Sequence, residues 1–379
     1  MKILFTTPVL AHPPVGGPLL RIENSIKALS KISQLHIFCR RTIGAIGGCG
    51  ALGYYQQYCE SFRFAPSFSL TNKYIRFVKR SCNFIGRKIL GRNMFPLPGE
   101  IPDVDYESLL QLADTIKADV IWLGYGNISY PLLKYIKTNS DYKVVVDTDS
   151  VWSRFILRGL PYATDEKDRS RILLEGKAKE EEERWGTAIA DVTTAVSEID
   201  AQYYRSLVTD KSKIHVFSNV IDVGMYENSH ERPHNFKEPC IYLAGSFGPK
   251  SPMEDAALWL INNVMPILRM HVPGIHLYIL GNGSRETLNG ISDPDVSILG
   301  RLESLLPYLK NSSVSVVPLR YESGTRFKIL EAGASGVPVV STNLGAEGIP
   351  VSNGHDILIA DNPDLFAKHI IQLLQDQDL

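Results

Sequence analysis

The segment Gly324-Thr-Arg-Phe-Lys-Ile-Leu-Glu331 gathers more chemically capable side chains than any other stretch of this 379-residue chain. Thr325 can cap a helix with interior Arg326–Ser335, Gly336 suits the position just past its end, and Pro338 stops it from continuing. A helix start presents unpaired N–H groups and the positive end of the dipole, and both favour an anion. Arg326 and Lys328 stand in that first turn, where the dipole alone would prefer acids. Cations set against the dipole point either to a bound anion or to solvated surface side chains. One turn further, Glu331 lies in the small and apolar run Ile329-Leu-Glu-Ala-Gly-Ala334, where a carboxylate needs a partner. A ribose diol is one, because an ionised carboxylate accepts two hydrogen bonds; an ion pair with Lys328, three residues earlier, is the other.

Other patterns offer different chemistry. Asp147-Thr-Asp149 pairs two hard carboxylates after a strand, a spacing suited to a divalent ion or to orienting a hydroxyl. Gly16-Gly17, in Pro13-Pro-Val-Gly-Gly-Pro18, lets backbone approach a ligand closely. Gly48-Cys-Gly-Ala-Leu-Gly53 satisfies GxGxxG, yet it lies a loop away from the preceding strand, and no acid follows at the spacing of about 20 residues that a dinucleotide site needs. His230 and His234 have a helical zinc spacing, but Pro233 between them disfavours the helix. No metal site is expected.

These groups must be held by regular elements, and the pattern for those is clear. Short β-rich runs alternate with helical patterns: Lys2–Thr7, Leu35–Cys39, Val120–Leu123, Lys143–Asp147 and Val192–Val196, then His215–Phe217, Ile241–Ala244, His276–Leu280, Val314–Pro318 and Val337–Ser341. That rhythm predicts parallel sheets covered by helices on both faces. The polar stretch Glu227–Pro239 reads as a surface loop. After Gly16-Gly17, Leu19, Ile22, Ile26 and Leu29 fall on one side of a helix that Pro18 can open. The expected architecture is α/β with two Rossmann-like halves, residues 1–208 and 209–379, facing across a cleft, with ligands at the strands' carboxyl ends.

Bulk properties exclude several classes. Forty Lys and Arg nearly balance 41 Asp and Glu, so no global field points to nucleic acid. Five cysteines form an odd set with no CxxC pair, which disfavours a disulfide framework and fits a reducing compartment. The N-terminus lacks the pattern of a signal peptide, and no run approaches the ~18 apolar residues of a spanning helix. A cytoplasmic location is expected.

The run Gly324-Thr-Arg-Phe-Lys-Ile-Leu-Glu-Ala-Gly-Ala-Ser-Gly-Val-Pro-Val-Val-Ser-Thr342, followed by Gly345-Ala-Glu-Gly348, resembles the donor-binding signature of the retaining GT-B glycosyltransferases of family 4 (group 1). The resemblance implies that Glu331 grips the ribose of a nucleotide-sugar donor and that Thr325, Arg326 and Phe327 receive its diphosphate. Many members carry another acid eight residues earlier, where this chain has Ser323, with Glu322 one step off. In Ala244-Gly245-Ser246-Phe-Gly-Pro-Lys250 the family often has an arginine at the place of Ser246 and a lysine whose role falls to Lys250, so Arg326 would supply the missing charge. Gly281, Gly283 and Gly300-Arg301 match loops that line the nucleotide, Gly324 opens the signature, and Gly16-Gly17 would face the phosphate and sugar.

The implied activity is transfer from a UDP- or GDP-sugar to a glycan or lipid-linked acceptor with retention of configuration, with no cofactor and no metal. Arg326, Lys250 and the helix start offset the charge of the leaving diphosphate, and Asp147 or Asp149 orients the acceptor. Alternatives on the same architecture are a sugar-nucleotide epimerase or hydrolase and a binding subunit without catalysis. Residues 61–99 hold eight Lys and Arg and no acid, and Thr71–Arg92 reads as an amphipathic helix with a basic side. That side suits an anionic membrane surface or a lipid pyrophosphate, making peripheral association with the inner membrane face an expectation.

Overall fold

The computed structural model describes residues 1–66, 106–228 and 230–376. The basic segment 71–92 and Cys82 therefore lie outside the described residues. Thirteen strands occur among those described, in two sheets. The first contains β1 (Lys2–Thr7), β2 (Gln34–Cys39), β3 (Ser61–Phe64), β4 (Val120–Gly124), β5 (Lys143–Asp147), β6 (Val192–Ala195) and β7 (Ile214–Val216), in the order β3-β2-β1-β4-β5-β6-β7. The second contains β8 (Cys240–Ala244), β9 (His276–Leu280), β10 (Val296–Gly300), β11 (Val314–Val317), β12 (Val339–Ser341) and β13 (Leu358–Ile359), in the order β10-β9-β8-β11-β12-β13. Neighbours from β3 through β6 and throughout the second sheet pair in parallel. Both sheets are Rossmann-like: the chain runs outward one way from the central strand, then crosses back and continues the other way.

Side chains alternate across each sheet. In β1, Ile3 and Phe5 join one apolar cluster with Ile22, Ile26 and Leu29 of the helix Gly17–Ser30, while Leu4 joins another with Ile121, Leu123, Val144 and Val146. Burial on both faces is what parallel strands with helical crossovers require, and it explains their nearly continuous apolar runs. The second sheet organises a separate core that includes Ile241, Leu243, Leu277, Ile279, Val316 and Val340. The chain divides into two compact units: Met1–Asp149, Glu182–Thr194 and Tyr204–His215 form the first, and Ser150–Glu181, Ala195–Tyr203 and Val216–Leu379 the second. The strand Ile214–Val216 belongs to the first sheet.

Gly48–Gly53 lies inside the helix Gly48–Gln56 and forms no phosphate loop. His230 and His234 lie outside any helix. Among the described residues no helix is long and apolar enough to cross a membrane, and no group of three His, Cys, Asp or Glu is arranged to hold a metal ion.

Candidate functional site

In the second sheet the direction of winding reverses between β8 and β11, and such a switch point leaves a crevice beyond the strands' carboxyl ends. Two loops open there, residues 245–251 after β8 and 318–326 after β11. The first is zipped to the loop after β9: Gly245 N–H donates to Leu280 O at 3.1 Å and Phe247 N–H to Asn282 O at 2.8 Å. Gly281 has φ +126°, and a Cβ there would stand 1.8 Å from Gly245 O, so only glycine permits this approach. Gly283 meets Phe247 O in the same way, at 2.4 Å. Across the switch, the Tyr321 hydroxyl donates to Lys250 O at 2.9 Å and ties the two loops together.

The helix that follows runs Phe327–Ala334, with Arg326 at the N-cap. The expected Thr325 cap is corrected: Thr325 Oγ1 instead accepts from Asn219 Nδ2 at 2.5 Å, which removes it from the helix start. The other end follows the sequence reading. Gly336, at φ +70°, donates to Gly333 O, and Val337 N–H donates to Ala332 O, the paired bonds of a glycine-terminated helix.

Arg326 is 4% exposed, and among the described residues its Nε and both Nη atoms find no hydrogen-bond partner. Burial lowers its pKa, while Glu322, Glu347 and Asp200 act against that at longer range. A buried guanidinium with five unmet donors is costly, by several kcal/mol for the ion alone. Lys328 points into the same region. Its Nζ meets Met253 Sδ at 3.1 Å, and burial pushes its pKa down to about 8 despite Glu322 and Glu331. The expected alternative of a Lys328–Glu331 ion pair does not form. Glu331 Oε1 instead accepts from the Tyr226 hydroxyl at 3.1 Å, and burial raises the glutamate's pKa. Glu322, the acid beside Ser323, is likewise raised by burial. Ser323 is buried, and its hydroxyl accepts from Val151 N–H at 3.3 Å.

A frame of second-unit residues surrounds this cluster. Arg158 donates through Nη1 to Glu322 O at 2.6 Å and forms two bonds to Glu347, at 2.9 and 2.8 Å. Burial alone would raise Glu347, but Arg158 outweighs it and the carboxyl lies below its ordinary range. Arg154 lies 3.6 Å from Asp200. Glu347 and Asp200 thus face Arg326 while already committed to other arginines. Tyr226, Arg158 and Asp200 escaped the sequence reading because no spacing links them to the 324–331 segment; Glu347 stands in the Gly345–Gly348 run of the signature, which gave it no role.

Other expected residues stand apart. Gly324, at φ +82°, is buried at the turn into the cluster. Ser246 and Arg301 are exposed. Lys250 is 58% exposed, with Nζ 2.8 Å from Thr164 Oγ1 and 3.4 Å from Asp168. In the first unit, Gly16 is the exposed N-cap of the helix Gly17–Ser30, with φ +90°. Asp147 is fully buried, salt-bridged to Arg21, and accepts from Thr194 Oγ1 at 2.7 Å. Asp149 N–H donates to Asn127 Oδ1 at 3.1 Å, and its carboxylate bonds the Tyr125 hydroxyl. The two aspartates therefore have separate partners.

Residues 238–376 match the family model described as glycosyl transferases group 1. That stretch is similar to a group 1 glycosyl transferase domain. A Klebsiella pneumoniae protein described as an uncharacterized 44.6 kDa protein in the cps region is 32% identical over 123 residues, which span 30% of this chain and 32% of that relative. Among solved structures, sucrose-phosphate synthase from Thermosynechococcus elongatus superimposes with a TM-score of 0.68 at 15% identity, covering 99% of this chain and 90% of that one. Anabaena HepE, solved with UDP and glucose, gives 0.62 at 12%, covering 100% and 90%. These likenesses establish the GT-B fold for the two Rossmann-like sheets. Within the matched residues fall both loops of the second switch point and the whole cluster from Glu322 to Glu331.

Proposed function

We propose that this chain is a retaining glycosyltransferase that moves a sugar from a UDP- or GDP-linked donor to a glycan or lipid-linked acceptor, without a metal ion. One observation carries the donor half of this reading: Arg326 is buried, and among the described residues all its guanidinium nitrogens are unpartnered, beside Lys328 and the start of a helix. A diphosphate supplies the acceptor oxygens and negative charge that these donors lack. HepE, which shares the fold and was crystallised in complex with UDP and glucose, supports the same class of donor.

Glu331, seated one turn into the helix with one oxygen on Tyr226, has a carboxylate suited to a ribose diol. As the bond between sugar and diphosphate breaks, charge grows on the leaving phosphate. Arg326, Lys328 and the first N–H groups of the helix are fixed donors that stabilise it without rearrangement. These cations stand in for the metal that other transferases use. Retention and the acceptor class rest on the family resemblance, and the acid-free basic stretch 61–99 supports an anionic, lipid-linked acceptor.

Donor identity is tested by calorimetric titration of UDP- and GDP-hexoses, and activity by nucleotide release. Arg326→Ala is expected to lower kcat roughly 10²–10³-fold with a smaller rise in KM. Turnover is expected to persist in excess EDTA. Activity that dies in chelator and returns with manganese would overturn the metal-free mechanism, and an inverted anomeric signal in the product would overturn retention.

A further inference from the structure

We infer that Arg158 is a positioning residue for the nucleotide-sugar donor: by gripping Glu347 it keeps that carboxylate off Arg326 and leaves the guanidinium open to the diphosphate, an inference that rests on the donor reading above. All the residues concerned belong to the second compact unit. A carboxylate near a buried guanidinium ordinarily pairs with it, because charged hydrogen bonds offset the cost of burial. Glu347 and Asp200 are both near enough to act on the charge of Arg326, yet neither bonds it. Something holds these acids back.

The restraint comes from the short helix Trp152–Leu157 and Arg158 at its C-cap. Arg154 and Arg158, four positions apart, fall on one side of it. Arg158 Nη1 and Nη2 donate to Glu347 Oε1 and Oε2 at 2.9 and 2.8 Å, a fork that engages both oxygens. Arg154 stands 3.8 Å from the same Oε1 and 3.6 Å from Asp200 Oδ1. Asp200 is the weaker rival, since burial raises its pKa and so disfavours its charged form. Glu347, held below its ordinary range, is ionised at neutral pH and is the acid that must be restrained.

The backbone sets this arrangement from two sides. The helix is tied at both ends to the loop 318–326: Val151 N–H donates to Ser323 Oγ at 3.3 Å, and Arg158 Nη1 donates to Glu322 O at 2.6 Å. Opposite, Gly348 has φ +79°, and a Cβ there would stand 2.8 Å from Ser197 Cβ and 3.1 Å from Thr325 Cγ2, so glycine lets the turn that carries Glu347 close onto the cluster. Without Arg158, an ionised acid lies beside a buried cation that has no acceptor, and the two pair. That internal pair takes the N–H groups that the phosphates would use. Arg158 thus acts on donor binding through Glu347.

The test is calorimetric titration of UDP and GDP into the full chain. Arg158→Ala should raise the Kd of the nucleotide that binds the wild type about tenfold, as the freed Glu347 turns to Arg326. Adding Glu347→Gln to that variant should return Kd to within about threefold of the wild type, because a neutral amide does not compete as an ion. A loop merely loosened by the loss of Arg158 is not repaired by a second change at Glu347, so the rescue separates positioning from support. Arg158→Lys keeps the charge without the fork and should lose about threefold, again rescued by Glu347→Gln; it carries the test if Arg158→Ala does not fold. Wild-type affinity in the Arg158 variant, or a loss that Glu347→Gln leaves untouched, overturns the inference alone. A wild-type protein that binds neither UDP nor GDP overturns the donor reading and this inference with it.

Discussion

The two sheets share one winding pattern, yet their switch points treat charge in opposite ways. In the first, the buried cation Arg21 meets the buried anion Asp147 directly, and Thr194 donates to the same carboxylate oxygen. In the second, the buried cation Arg326 touches no acceptor among the described residues, and the acids around it are tied to other arginines or held at longer range. A paired buried ion is a structural device that fails when one partner is removed. An unpaired one is tolerated where a ligand completes it, because the cost of desolvation has already been met before binding. The same architecture can thus serve as a frame at one end and a receptor at the other.

Stability separates the two most sharply. Asp147→Ala removes the buried counter-ion of Arg21 and should destabilise the protein by about 3–5 kcal/mol. Arg326→Ala removes an uncompensated ion and should leave the stability of the free protein unchanged or raised. Urea denaturation of both variants reads the difference, and equal losses would mean that the two buried cations are held alike.

Nucleotide binding comes next. Glu331→Ala should weaken UDP or GDP by about 1.5–3 kcal/mol, the scale of a lost charged hydrogen bond. The fold should survive, since the helix keeps its glycine terminus and apolar face. Undiminished affinity would make Glu331 no more than the partner of Tyr226.

The smallest effect is a pH dependence at Lys328, whose folded pKa of about 8 lies below the ordinary lysine value. Below pH 8 the ammonium is present and should favour the diphosphate. As pH rises through about 8 the free protein loses that charge, so nucleotide affinity should fall, with a proton taken up on binding. Because the unfolded chain binds the extra proton between about pH 8 and 10.4, folding stability should rise with pH in that window. Lys328→Met should flatten both trends; an affinity that stays level in the wild type from pH 7 to 9 contradicts the role.

Local signals in the sequence carried the frame and much of the second switch point. The runs at Lys2–Thr7, Lys143–Asp147 and His276–Leu280 are strands with those limits, and Gly336 ends its helix as its position demands. The short strands Ser61–Phe64, Val296–Gly300 and Leu358–Ile359 escaped, since edge or near-edge strands of two to five residues hold too little periodicity to read. Pairings between distant residues escaped as well. Asp147 finds Arg21 across 126 positions and Lys250 finds Asp168 across 82, so neither partnership leaves a spacing signal. Arg326 is the instructive case: its charge at a helix start was legible, but its burial without a partner follows only from the packing of Arg158, Asp200 and Glu347 around it.

The central claim is that this unpartnered arginine receives a diphosphate. Isothermal titration of UDP and GDP into wild type and Arg326→Ala tests it directly. The nucleotide that binds the wild type should lose about 1.5–3 kcal/mol, or roughly 10–150-fold in Kd, in the variant. Equal affinity in the two proteins would contradict the account and leave Arg326 as a buried cation without a ligand.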